Sequence, residues 1–263
     1  MNDSKLSILV PSCDKYSDLW KPFFHQFFKH WESCPYKMYL GTNHKDFQHP
    51  RVEVIKVGDD ISWATGMRTM VDQIKSENIL IILEDFFLRK DVSDSDFTNL
   101  LEKYEYHKSL MLRLSWAYGW PNKRNSSGFQ VLEPNRRYRI CLHPAIWRKT
   151  FLDELLVEGD SAWAFEVNAS NRSMKYSDGI FCTGYRPLEW DHHVVEKGKW
   201  FLPAAKKFAK MDIGCDFGAR GVMTISEHVK WFLSHEKGRL EYLLIPIPLY
   251  FWLKSVKKKF CSN

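Results

Sequence analysis

The sequence predicts an α/β fold, a mostly parallel sheet flanked by helices, and three observations carry that reading. Short apolar, β-branched runs alternate with helix-length amphipathic segments through the first half of the chain. The most apolar of these runs lack the in-out alternation of a half-solvated strand, as expected of strands covered on both faces. The composition supports a packed core: of 263 residues, 44% are hydrophobic and 27% charged, which argues against global disorder.

The elements follow in order. Leu6 to Pro11 reads as a buried strand, and Asp14 or Ser17 then caps a helix over Tyr16 to Trp31. Tyr36 to Gly41 is a second strand. Arg51 to Val57 alternates, which predicts a third strand with one wetter face. Ser62 caps a helix reaching Lys75. Ile79 to Leu83 is the most apolar run and so the central strand; it ends in Glu84-Asp85. Asp94 or Ser95 caps a helix to Tyr106, and Leu110 to Leu114 is another strand. Beyond Ser115 the pattern changes to short strand-like pieces rich in Gly, Pro, Asn and aromatic residues up to residue 147. Helical patterns return at Trp147 to Leu156, Ala162 to Asn171, Pro203 to Lys210, and from Ser226 into the tail. The organisation expected is a nucleotide-binding half (1–115), an acceptor-binding half of the same domain (116–225) and a helical basic tail (226–263).

In open parallel sheets, ligands bind beyond the carboxyl ends of the strands. That rule selects Pro11, Ser12, Cys13 and Asp14 after the first strand, Asn43 after the second, and Glu84 and Asp85 after the central one. The acidic pair lies between an apolar strand and Phe86-Phe87-Leu88, so Asp85 needs a counter-charge, a metal or a donor hydroxyl. Its alternatives are a ligand site, or a structural role in helix capping or in a pair with a residue such as Arg113. Arg113 interrupts an apolar strand; it either holds a phosphate or carboxylate bidentately or is an ordinary strand charge. In Glu158 to Arg172, Ser161 caps a helix that sets Trp163 and Glu166 on one face. A ring beside a carboxylate suits a sugar acceptor, with Arg172 close in sequence; the alternative is an amphipathic helix with Trp163 in the core. Asp191-His192-His193 invites a metal, but neighbours in an extended segment point to opposite sides. Lys197-Gly198-Lys199-Trp200 is a basic turn that could close on a diphosphate or stay solvated.

Net charge is +6, and Lys254, Lys257, Lys258 and Lys259 crowd the C-terminus. Such a surface favours anionic partners. The lysines do not interleave with the aromatic residues, which argues against nucleic acid. The six cysteines form no C-x-x-C pair and no zinc-like spacing. With no signal-peptide pattern, reduced thiols in a cytoplasmic protein are the expectation. Tyr242 to Leu253 is roughly half the length of a spanning helix and carries Pro246 and Pro248. Two readings of this stretch and its lysines stay open: a segment peripheral to the inner membrane surface, or a tail packed on the body.

Several stretches together resemble glycosyltransferases of the GT-A (Rossmann-like) fold, in particular small enzymes found with bacterial O-antigen and capsule genes. They are ILVPSCDKYSDLW at 8 to 20, Trp63 with Gly66 and Arg68, LEDFFL at 83 to 88, HPAIW at 143 to 147, SAWAFEVNASNR at 161 to 172 and VVEKGKW at 194 to 200. The resemblance implies a nucleotide-sugar donor held by Pro11 to Asp14 and a lipid-linked glycan as acceptor. It implies that LEDFFL stands in the region of an Asp-x-Asp motif. Phe86 occupies the place of the usual metal-binding Asp, so a magnesium or manganese ion would have Asp85 as its one matching ligand. Arg68, Arg113, Lys197 and Lys199 are the cations that would neutralise the diphosphate without a metal. The family's base at the start of a second-half helix corresponds to Glu166 first and Asp160 second, for an inverting displacement. Two rivals remain: a phosphoribosyl- or lipid-phosphate-linked donor, and a non-catalytic glycan-binding scaffold of the same fold.

Overall fold

The computed structural model describes residues 5–59, 61–117 and 123–244. The apolar run from Ile245 and the lysine cluster lie outside the described residues.

The chain forms an eight-stranded sheet, with β1 (Leu6–Pro11), β2 (Lys37–Thr42), β3 (Val52–Lys56), β4 (Asn78–Ile81), β6 (Met111–Arg113), β7 (Gln130–Val131), β8 (Ala145–Arg148) and β9 (Ile180–Cys182) in the order β3-β2-β1-β4-β8-β6-β9-β7. The run β3-β2-β1-β4 is parallel throughout. β8 is antiparallel to both β4 and β6, β9 is parallel to β6, and β7 closes the far edge antiparallel. Two short antiparallel pairs stand apart: β5 (Phe87–Leu88) with β10 (Trp190–Asp191), and β11 (Val195–Glu196) with β12 (Lys199–Trp200). Lys197 and Gly198, both at positive φ, make the two-residue turn between β11 and β12.

The helices are α1 (Ser17–His30), α2 (Trp63–Gln73), α3 (Asp94–Tyr106), α4 (Lys149–Leu155), α5 (Ala162–Arg172), α6 (Leu202–Phe208) and α7 (Ile225–Leu244). Successive strand residues point to opposite faces, and this period of two builds two cores. Leu6, Ile8 and Val10 of β1, Leu80 of β4 and Ile146 of β8 pack against α1, α3 and α6. Leu9, Ile79, Ile81 and Trp147 face the other way, onto α2, α4 and α5. Most aromatic rings lie in these cores; Phe23, Phe24, Phe27 and Trp31 of the α1 region are fully buried.

The expected strands and helices of the first half fall within two residues of their predicted bounds. The caps are Ser62 for α2, as expected, and Ser93 for α3, not Asp94 or Ser95. One element differs in kind. Ala145–Arg148 is the antiparallel strand β8 in the middle of the sheet, so the helix read from Trp147 begins only at Lys149. The sheet is continuous across residue 115, with β8, β6 and β9 hydrogen-bonded into the parallel half. Among the described residues no helix is long and apolar enough to cross a membrane.

Candidate active site

The strand order reverses between β1 and β4, since β2 and β3 lie on one side and the later strands on the other. The carboxyl ends of β1 and β4 therefore border a crevice at the topological switch point.

The β1 side is a knitted wall. Asp14 Oδ1 accepts from the Asn43 amide at 3.0 Å, and its carboxylate also accepts from the amides of His44 and Lys45, each at 3.1 Å. Asn43 Oδ1 accepts from the Asp14 amide at 3.0 Å, and its Nδ2 donates to the Gly58 carbonyl at 3.0 Å. Desolvation pushes the Asp14 carboxyl up, but the backbone donors outweigh it and hold the group below its ordinary value. Asp14 and Asn43 thus shape the loop. Ser12 Oγ accepts from Trp20 Nε1 at 2.9 Å and donates to the Glu84 carboxylate. Pro11 is buried at the end of β1, and Cys13 is half-buried and in no disulfide.

The β4 side is a tight corner. The Phe86 amide donates to the Leu83 carbonyl at 3.1 Å, so Glu84 and Asp85 are the central residues of a β-turn. Glu84 is buried, and desolvation followed by the Asp85 charge pushes its carboxyl up to about 8. Desolvation likewise pushes Asp85 up to about 6, with the Glu196 charge acting in the same direction. Asp85 Oδ1 is buried and has no hydrogen-bond partner.

Three further groups surround the acids. Arg220 arrives from the loop before α7; its Nε donates to Asp18 Oδ2 at 2.7 Å, a second nitrogen binds Asp18 Oδ1, and the guanidinium lies 4.5 Å from the Tyr16 ring centre. The Arg220 charge lowers both Glu84 and Asp85. On the other flank His193, at φ 62°, pairs with Glu196, and both act on Asp85. Behind the corner the Phe86 ring packs on His143, Trp190 and His192, with centroids 5.8, 5.8 and 5.5 Å away. Burial drives His143 down to about 3 and His192 to about 2, so both rings are neutral. Arg186 lies over Trp116 and Trp190 at 4.8 and 5.0 Å.

Glu166 enters from α5. Its Oε1 accepts from the Leu142 amide at 2.8 Å, and desolvation raises its pKa against the pull of that bond and of Arg113. Arg113, buried at the carboxyl end of β6, donates to the carbonyls of Tyr138 and Arg139, the latter at 3.0 Å. The segment 141–143 connects the two parts: Leu142 holds Glu166, and His143 touches Phe86.

Other predicted residues are occupied elsewhere. Arg68 ties α2 to the end of α4, pairing with Asp153 and with the Leu156 carbonyl. Both oxygens of Asp160 are taken, by Arg172 and by Asn168 Nδ2, each at 2.6 Å. Trp63 packs on Phe165 at 5.0 Å, and Gly66 is a helix residue with room for a Cβ beside Val57 at 3.7 Å. Arg68, Asp160 and Arg172 thus have partners within the fold, although Arg172 Nε is buried without one. Trp163 is not in the core; it is 81% exposed. Lys199 pairs with Glu227 at 2.6 Å, and Lys197 is exposed at its turn. Asp191 pairs with Lys207.

Arg220, Tyr16, His143 and Arg186 join the crevice without having been singled out in the sequence. Arg220 lies 202 positions from Asp18, and no local pattern marks such a contact. A metal-binding Asp-x-Asp geometry does not fit these residues. The third position is the Phe86 ring, walled by other rings, and among the described residues no group of three or more His, Cys, Asp or Glu side chains could hold an ion.

No family model matches the chain, and no curated protein matches it in sequence. Among solved structures it is similar to S. aureus TarS 1-349, at 10% identity and a TM-score of 0.48, covering 70% of this chain and 59% of that one. The same TarS fragment in complex with UDP-GlcNAc aligns at 13% identity and a TM-score of 0.44, over 70% and 57% of the two chains. The bifunctional IspDF from Campylobacter jejuni aligns at 17% identity and a TM-score of 0.37, over 62% and 47%. The chain therefore spans little more than half the length of the TarS chain it matches.

Proposed function

We propose that the protein is a glycosyltransferase that moves a sugar from a nucleotide-linked donor to a hydroxyl of a glycan acceptor. The observation that carries this reading is the Glu84-Asp85 corner. It joins a buried Glu84 to a half-buried Asp85 whose buried Oδ1 has no partner, at the carboxyl end of the central strand and at the switch point where open α/β sheets bind ligands. The donor's ribose and sugar hydroxyls would supply the donors that Asp85 lacks. The sequence resemblance to GT-A enzymes points the same way.

The chemistry proposed is a single displacement. Glu166 takes the proton of the acceptor hydroxyl as that oxygen attacks the anomeric carbon. The bond from that carbon to the diphosphate oxygen breaks, and its electron pair leaves with the nucleoside diphosphate. Burial supports Glu166 in this role, since it raises the carboxyl towards the range of a base working near neutrality. Arg113, buried at the sheet's carboxyl edge with its Nε unpartnered, is a cation for the developing charge, with Lys197 on the nearby hairpin. Exposed Trp163, one turn before Glu166, is the stacking surface for an acceptor sugar. No step is routed through a metal. The finer reading is a hexosyl or related transfer in the cytoplasm onto a lipid-linked O-antigen or capsule glycan, and it rests on the sequence resemblance alone.

The test is thermal stability against nucleoside diphosphates and nucleotide sugars, each with EDTA and with manganese, followed by turnover of Glu166→Gln. One nucleotide class should raise the melting temperature, by an amount that grows with RT ln(1 + [L]/Kd). Glu166→Gln should keep that shift and lose transfer. A shift with phosphoribosyl or lipid-phosphate compounds only would replace the donor, and turnover by Glu166→Gln would remove Glu166 as the base.

A further inference from the structure

Residues 138–143 form neither helix nor strand, yet 139–142 are buried. A buried stretch of irregular backbone must find partners for its own N–H and C=O groups. Side chains supply them from two sides. From β6, Arg113 Nη2 donates to the carbonyls of Tyr138 and Arg139, the latter at 3.0 Å. From α5, Ser170 Oγ accepts from the Ile140 amide at 3.0 Å, and Glu166 Oε1 accepts from the Leu142 amide at 2.8 Å. The Ser170 hydroxyl also lies 3.2 Å from the Ile140 carbonyl oxygen and 2.6 Å from that of Glu166, the two acceptors for its proton. Tyr138 sits at φ 48°, in the left-handed region that a Tyr rarely adopts, and such a conformation persists where the surroundings hold it. The strap ends at His143, whose ring centre is 5.8 Å from that of Phe86 and 5.1 Å from that of His192, and whose Nδ1 is 3.4 Å from Ser115 Oγ. It therefore runs from the acid on α5 to the rings behind the Asp85 corner.

The Glu166 tether differs in chemistry from the Ser170 one. A hydroxyl or an amide would hold Leu142 at less cost, because a carboxylate taken out of water forfeits its hydration. What the carboxylate adds is a second oxygen. With Oε1 bound to the Leu142 amide, Oε2 has no hydrogen-bond partner among the described residues, and it is the oxygen left to take a proton. Ser170 follows Glu166 by one helical turn and so shares its face of α5. It is buried, and it grips Ile140, two residues before Leu142. A shift of Ile140 would carry the Leu142 amide with it and change how Glu166 is held. Arg113 is the charged side chain that acts on Glu166, and Cys141 is its titratable neighbour on the strap.

We propose that the 138–143 strap positions the Glu166 carboxylate for the transfer, and that Ser170 is the positioning residue, acting through Ile140 and the Leu142 amide. The proposal rests on Glu166 being the base. Ser170 itself meets no substrate in this scheme; it keeps Oε1 occupied and Oε2 open.

The experiment titrates the Glu166 carboxyl by carbon NMR in the full chain carrying isotope-labelled glutamate, with the signal identified by its absence from Glu166→Gln. The Leu142 amide holds Glu166 down, so loosening that bond raises the group. In Ser170→Ala the titration should move to higher pH, by about one pH unit where the bond is lost. The acid limb of the transfer rate should move with it, because the base works only when deprotonated, and the rate at its plateau should fall about tenfold or more. Ser170→Cys has nearly the same shape with a weaker donor and acceptor. It should move the titration the same way by less, and it carries the test if Ser170→Ala does not fold. A serine that only supports the fold would lower the melting temperature and leave the Glu166 titration in place. That result in either folded variant would overturn the strap, while an inactive Glu166→Gln would keep the base. Transfer by Glu166→Gln would overturn the base and with it the purpose given to the strap.

Discussion

Replacing Glu84 with Gln should make the protein more stable at about pH 6.5 and by a wider margin in mild alkali. Glu84 is buried beside Asp85, and desolvation together with that neighbouring charge pushes its carboxyl from the ordinary 4.5 up to about 8. The folded protein therefore keeps a proton that the unfolded chain has already released. The stability carried by that proton is complete below pH 4.5 and is lost as pH rises through 8. At about 1.4 kcal/mol per pH unit, softened near the pKa itself, the loss between about pH 6.5 and 8.5 is about 2 kcal/mol. Gln is neutral, keeps the shape and still accepts from Ser12, so the variant lacks this slope. Urea unfolding of both proteins at the two pH values measures it. The difference between them should move by about 2 kcal/mol in favour of Glu84→Gln on going to the higher pH. The buried His143 and His192 are present in both proteins and cancel in the difference. Parallel pH profiles for the two proteins would refute the reasoning, because they would mean that Glu84 is ionised in the fold and compensated there.

Three other perturbations test neighbouring parts. Asp18→Asn leaves Arg220 without its partner in a pair whose side chains are only 7% and 11% exposed; the expected loss is about 3 kcal/mol or more, read from the urea midpoint, and a loss under about 1 kcal/mol would mark the pair as solvated. Arg139→Met should lower the melting temperature sharply. The fully buried guanidinium binds the carbonyls of Leu132, Ser173 and Tyr176, and each carbonyl left unpaired costs about 1–3 kcal/mol. His192→Asn should flatten the acid side of the stability profile: burial holds His192 down near 2, so its contribution is whole above the ordinary 6.5 and is lost as pH falls below it. Thermal melts at about pH 5 and 7 would expose a failure as an unchanged difference.

The sheet was legible wherever burial on both faces leaves a purely apolar run. β1 and β4 have every residue buried, and no other element type suits four to six such residues between turns. β8 was not legible. Its Ala145-Ile146-Trp147 adjoins the apolar Phe151 and Leu152 of α4, and short buried strands and helices share a composition. What makes it a strand is antiparallel pairing with β4 and β6, which is set by distant chain. The site divides in the same way. Glu84 and Asp85 could be found because a sheet's carboxyl end is a local property of sequence. Arg68, Asp160 and Arg172 looked equally chemical, but a charge is available only if no partner takes it, and their partners are fixed by helix packing. Arg220 was invisible for the converse reason, as its meaning comes wholly from Asp18 and Tyr16.

That difference between satisfied and unsatisfied charge is the strongest physical reason to look for a ligand at the Asp85 corner. Burial without a partner is expensive, and the fold supplies partners to several of its charged groups. Asp14 collects three backbone donors, Asp160 has a guanidinium and an amide, Arg139 has three carbonyls, and Arg220 has both oxygens of Asp18. Buried atoms without a hydrogen bond occur elsewhere, among them Gln26 Oε1 and Ser109 Oγ, and they include Asp85 Oδ1 at the corner, Trp190 Nε1 behind it and Arg113 Nε at the end of β6. A carboxylate oxygen after β4 and two N–H donors on β6 and β10 would complement a molecule that both donates and accepts, as a sugar bearing hydroxyls and a phosphate does. A purely structural acid pair would have been better served by an arginine placed as Arg139 is. The corner is left short of partners at some expense in stability, as expected where the fold has been shaped by what it binds.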